Sequence, residues 1–98
     1  MADTIEIVTF NLKPGASRDD FLEKNKYVEQ NLVSKMPGFK SRETAISDEG
    51  QVVVVLHWDK PESAQHSMDE FVKSSESQEF QQLLDMDTFQ MVRYVQVA

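Results

Sequence analysis

The 98 residues suffice for one domain with its own core, and 40% hydrophobic with 28% charged residues exclude a chain disordered by composition. Acidic side chains outnumber basic ones by 17 to 10, a formal charge of -7, which argues against sequence-independent binding to nucleic acid or anionic membrane because both need clustered Lys and Arg. The absence of cysteine excludes disulfides, thiolate metal sites and cysteine nucleophiles. Met1-Ala2-Asp3-Thr4 lacks the basic and apolar regions of a secretory signal, and the longest apolar run, Val52 to Leu56, is far short of the ~20 residues of a membrane span. A cytoplasmic location is the expectation.

Thr4 to Leu12 reads as a first strand, with Ile5, Ile7 and Thr9 on one face and Val8, Phe10 and Leu12 on the other. Lys13-Pro14-Gly15 breaks it. Ser17 is a good N-cap, with Asp20 at capping-box spacing, for a helix running to about Lys35. Phe21, Val28 and Leu32 form its apolar stripe, and Met36-Pro37-Gly38 ends it. Phe39 to Ser47 is a strand of mixed polarity suited to a sheet edge. Phe39 and Ala45 share one face with Ser41 and Glu43, while Arg42, Thr44 and Ile46 take the other.

A hairpin connection at Ser47-Asp48-Glu49-Gly50 leads into Val52-Val53-Val54-Val55-Leu56, continuing through His57 and Trp58. Consecutive valines favour a strand, and the lack of polar alternation marks it as central. Asp59 and Glu62 have capping-box spacing around Pro61 for a second helix over Pro61 to Lys73, with Ala64, Met68, Phe71 and Val72 as its buried side. A short helix capped by Ser75 with Gln78 carries Phe80, Leu83 and Leu84. A last strand spans about Thr88 to Val97.

The order is βαββαβ, one domain over residues 1–98. Right-handed crossovers give an α+β, ferredoxin-like fold: an antiparallel four-stranded sheet with both helices on one face and the first and third strands in the middle. The other face would then meet water although the strands are apolar on both sides. Four to eight exposed Val, Ile, Phe or Met side chains would forfeit ~1.5–3 kcal/mol each, as much as the net stability of a small domain. A second copy of the sheet is the simplest cover, so a homodimer is expected.

Lys13-Pro14-Gly15, a helix with Phe21, Pro37-Gly38-Phe39, a valine-rich strand ending in Trp58, a Pro/Glu-initiated helix with His66, and finally Phe80 together resemble the antibiotic biosynthesis monooxygenase family of dimeric α+β barrel proteins. The resemblance covers nearly the whole chain. It implies a homodimer whose sheets form a shared barrel, and a small hydrophobic pocket between helices and sheet in each subunit. It also implies, for some members, oxidation of polycyclic phenols or quinols by molecular oxygen without metal or flavin. The expectation is therefore a protein that binds a small aromatic or quinone-like molecule and needs no cofactor. Its alternative is a non-catalytic dimeric binding or stress-response module.

The resemblance matches Trp58 and His66 to the family's strand tryptophan and helix histidine. Trp58 could stack on an aromatic substrate or serve as a large core residue. Histidine is the side-chain type suited to general-base work at neutral pH, but His66 lies ~200° around the helix from Ala64, away from Met68 and Phe71. His57 points to the opposite sheet face, where an interface role is expected. Asn25 interrupts the apolar stripe between Phe21 and Val28, either as a satisfied core amide or as a polar group aimed into the pocket. Trp58, His66 and Asn25 are the catalytic candidates. Asn11, Phe21, Tyr27 and Phe71 are the ligand-binding candidates, with Arg93 and Tyr94 weaker ones. The family's oxygenases pair the tryptophan with an asparagine upstream in the same strand, and Val52 to Leu56 has none. Two histidines in separate elements fit no metal-ligand spacing. Haem degradation would imply a histidine that Ser75 to Asp85 lacks.

Overall fold

The computed structural model describes residues 2–98. Strand β1 (Thr4–Leu12) is followed by helix α1 (Arg18–Asn31), a 3-10 turn at Val33–Lys35, and the hairpin of β2 (Phe39–Ile46) and β3 (Val52–Trp58). Then come α2 (Pro61–Lys73), a 3-10 turn at Ser75–Ser77, the short α3 (Gln78–Gln82) and β4 (Leu84–Val95). The sheet is antiparallel in the order β2-β3-β1-β4, so the two strands with the longest apolar runs are central. This is the ferredoxin-like βαββαβ arrangement expected from the sequence.

The core lies between the helices and one sheet face. Val8 and Phe10 of β1 and Val52, Val54, Leu56 and Trp58 of β3 are buried there. Phe21 and Val28 of α1 cover them, with Ala64 of α2 and Phe80 of α3. Phe10 meets Phe21 and Phe80 edge-on, ring centroids 5.9 and 6.1 Å apart, a geometry that pairs ring edge with π-face. The opposite face carries Ile5, Ile7, Val53, Val55, Val92 and Tyr94. Registers place Ile7 beside Val55 and Val92, and Ile5 beside His57 and Tyr94.

Several local expectations are corrected. Helix α1 stops at Asn31 rather than near Lys35, where Asn31 Nδ2 donates to the Tyr27 carbonyl at 2.9 Å and Leu32 leaves helical geometry. Phe39 shares its face with Arg42, Thr44 and Ile46, because Phe39 pairs with Trp58 and Ser41 already pairs with His57. Lys40 is thus an extra residue, a β-bulge that turns Phe39 onto Trp58. Asp59 does not cap α2. Its carboxylate accepts from Ser63 Oγ at 2.5 Å, and Lys60 is the N-cap without a side-chain bond. The buried side of α2 is Ser63, Ala64 and Ser67, with Met68 and Phe71 half-buried and Val72 exposed. Ser74, not Ser75, caps the turn before α3, accepting from the Glu76 N–H at 3.1 Å. Strand β4 begins at Leu84 because Asn11 and Leu12 pair with Asp85 and Leu84 before the register shifts. No helix among the described residues is long and apolar enough to cross a membrane.

Candidate functional site

The α2 face that meets the sheet is built of small side chains at Ser63, Ala64 and Ser67, so this stretch packs closely, while the longer Met68 and Phe71 follow one turn later. Beneath them the packing is incomplete. A cavity of about 140 Å³ lies between α2 and the sheet. Its floor includes Glu6 and Val8 of β1 and Val54 and Leu56 of β3, and Ser67, Met68 and Phe71 line it from α2. Phe80 and Gln81 of α3 contribute, Val33 and Arg42 border it toward β2, and Met86 and Phe89 toward β4. Val72 and Met86 line it and are more than half exposed, which marks the mouth. The residues of β4 that bulge between Asp85 and Gln90 supply two of these walls.

Two charged groups enter this apolar space. Arg42 is inward-facing on an edge strand, its side chain 4% exposed. Its Nη1 donates to Glu29 Oε1 at 3.2 Å and its Nη2 to Asn25 Oδ1 at 2.8 Å. Burial lowers its pKa below the ordinary guanidinium value, opposed by the hydrogen bond and charge of Glu29. Glu6 is 2% exposed and its Oε2 accepts from Arg93 Nε at 2.9 Å. Arg93 Nη1 in turn donates to Gln65 Oε1 at 2.7 Å.

The residues singled out in the sequence are dispersed around this cavity, and one of them lines it. Phe71 does. Phe21 is fully buried against Phe10 and Phe80, behind the cavity wall. Asn25 donates to Thr44 Oγ1 at 3.1 Å and accepts from Arg42, so its amide is satisfied and orients a side chain that does reach the cavity. Trp58 is fully buried at the end of β3, edge-on to Phe39 at 5.7 Å, and its Nε1 is buried without an acceptor among the described residues. His66 is exposed on α2, as its angle from Ala64 requires.

Tyr27 is exposed and donates to Glu76, in a polar groove outside the core that also holds Lys24 and Glu79. That hydrogen bond, with the charge of Glu76, raises the phenol pKa above its usual value. Asn11 is exposed at the register shift, its N–H donating to Thr88 Oγ1 at 2.8 Å. Tyr94 lies on the open face beside Ile5.

Sequence reasoning passed over Glu6 and gave Arg42 no role. The signals were present: Glu6 is the only charge between Asp3 and Lys13, with the parity of Val8 and Phe10, and Arg42 has the parity of Ile46. Among the described residues, no group of three His, Cys, Asp or Glu side chains is placed to hold a metal ion.

No family model matches this chain, and a search of curated proteins finds no match. Solved structures do match. A candidate antibiotic biosynthesis monooxygenase from Chloroflexus aurantiacus is 20% identical over 98% of this chain and 94% of its own, with a TM-score of 0.74. SnoaB, a cofactor-independent oxygenase from Streptomyces nogalater, is 9% identical over 100% of this chain and 96% of its own, TM-score 0.81. A dimeric ferredoxin-like protein of unknown function from Thermobifida fusca is 12% identical over 97% and 92%, TM-score 0.74. At these identities the likeness is one of fold. That fold is the one the sequence motifs resemble, shared by antibiotic biosynthesis monooxygenase-like and dimeric ferredoxin-like proteins.

Proposed function

We propose that the protein binds a small aromatic or quinone-like molecule in the cavity beneath α2, and does so as a homodimer paired through its open sheet faces. The observation that carries the binding reading is the cavity itself: an apolar space entered by two charged side chains, each held by a partner. An apolar body is favoured by the walls, and orientation comes from the few polar groups. Its volume suits about one aromatic ring, since an engineered apolar cavity of roughly 150 Å³ holds one benzene. The dimer is supported by the apolar open face and by the fold's occurrence in a protein described as dimeric.

Cofactor-independent oxygenation of that molecule is the second reading, favoured by the likeness to a cofactor-independent oxygenase. In such a reaction one oxygen atom becomes a carbonyl on a ring carbon and the other leaves as water with the two hydrogens of that carbon. The missing asparagine in β3 and the absence of Trp58 and His66 from the cavity lining favour binding without turnover. Oxygen uptake with a panel of quinols and anthrones, in wild type, Trp58→Phe and Asn25→Ala, separates the two. Ligand-raised Tm without product supports binding alone, uptake above the uncatalysed rate supports oxygenation, and neither result is compatible with an empty structural domain.

A further inference from the structure

A thioether borders the mouth of the cavity. Met86 lines the cavity and is 57% exposed, while Met36, Met68 and Met91 are half-buried. It stands where the pairing of β1 with β4 breaks, between Asp85 opposite Asn11 and Gln90 opposite Thr9. The backbone of this bulge is pinned. Thr88 Oγ1 donates to the Asp85 carbonyl at 2.7 Å and accepts from the Asn11 N–H at 2.8 Å, and the Asp87 N–H donates to Asp85 Oδ1 at 3.2 Å. What is free to turn at the mouth is therefore the Met86 side chain, unbranched and rotating about three bonds. Its sulfur meets the solvent on one side and the apolar space on the other.

From this arrangement we propose that Met86 is a site of reversible oxidation by hydrogen peroxide, and that its sulfoxide weakens the binding of an apolar ring in the cavity. The second half rests on the aromatic-binding reading above, and the first half does not. In the reaction the sulfur lone pair attacks peroxide and the O–O bond breaks. One oxygen stays on the oxidised sulfur, and the other, reduced, leaves as water with both peroxide hydrogens. The product puts a strong acceptor where a weak one stood. The one amide on the cavity wall is already committed, since Gln81 Nε2 donates to Ser77 Oγ at 2.7 Å and to the Phe71 carbonyl at 3.2 Å. A ring seated inside then covers an acceptor that has no donor, or loses part of its apolar wall as the sulfoxide turns out to water. Reduction of the sulfoxide by a methionine sulfoxide reductase restores the thioether.

Limiting hydrogen peroxide on the full chain, followed by peptide mass mapping and calorimetric titration with toluene, tests both halves. Met86 is expected to gain its oxygen before Met36, Met68 and Met91, and the oxidised chain to bind toluene about 3- to 30-fold more weakly, with recovery after reductase treatment. Met86→Leu, compared with itself before and after peroxide, is expected to keep whatever toluene affinity it starts with. Oxidation of Met68 or Met91 as fast as Met86 overturns the assignment of the site. Unchanged toluene affinity once Met86 carries the oxygen overturns its effect on the cavity, and so does an equal loss of affinity in peroxide-treated Met86→Leu. No toluene binding before peroxide overturns the aromatic-binding reading and the effect on it, while the order of oxidation, read by mass, decides the site separately.

Discussion

Asn25 illustrates how a side chain can serve a cavity without entering it. It bridges Arg42 and Thr44, so it fixes a guanidinium that burial would otherwise penalise. Asn25→Ala is expected to lower stability by about 1–3 kcal/mol, read from the urea midpoint, because the Arg42 donor it leaves behind is buried. Tyr27 gives a prediction in pH. Its phenol donates to Glu76, which favours the protonated form and raises the folded pKa. The contribution is therefore complete below about pH 10, the free tyrosine value, and is lost as pH rises through the higher folded pKa. In an ultraviolet titration, the component that disappears in Tyr27→Phe should lie above about pH 10. At this scale the sequence was least informative. Phe71 follows from its helical position and Asn25 stands out within an apolar stripe, but the partners of Asn25 come from β2, 17 and 19 residues away. Glu6 was hidden for a similar reason: one charge in an apolar strand reads as noise until Arg93, 87 residues later, is seen beside it.

Elements were more legible than their contacts. The extents of β1 and α2 follow from local chemistry, with Leu12 followed by Lys13-Pro14-Gly15 and Pro61 fixing a helix start. What failed needed tertiary information. The bulge at Lys40 cannot be read from the periodicity of β2, since one inserted residue reverses the parity of Phe39 and only its packing on Trp58 reveals the reversal. The early start of β4 likewise depends on Asn11 and Leu12 as partners. Gly38 ties these pieces together. It has φ +84, and a Cβ there would strike the Asp59 carboxylate and Ser63. Its carbonyl also accepts from the Asp59 N–H at 2.9 Å. Gly38→Ala combines left-handed strain with overpacking and is expected to destabilise by about 2–4 kcal/mol in urea unfolding. Gly50 (φ +88) has open space around it, so Gly50→Ala should show only the conformational part, about 1–2 kcal/mol.

For the molecule as a whole, apolar residues on both sides of β1 and β3 mark them in the sequence as the middle strands, and the order β2-β3-β1-β4 places both there. The open face keeps Val92 and Tyr94 about half exposed, with Ile7 between Val92 and Val55. Under the proposed pairing, sedimentation at micromolar concentration should give twice the chain mass. Ile7→Lys, placing a charge amid that face, should give a single chain with the native circular dichroism retained. A wild-type particle of one chain mass would remove the dimer from the proposal and leave the cavity, on the other face, untouched.

Trp58 adds a practical consequence. It is the only tryptophan in the chain, fully buried, with an indole N–H that meets neither water nor an acceptor among the described residues. An indole so isolated emits at short wavelength, and its fluorescence moves to the red once solvent reaches the ring. Because Thr4 of β1 and Phe39 of β2 flank it in register, that single optical signal watches three strands come apart together, with no label added to the protein.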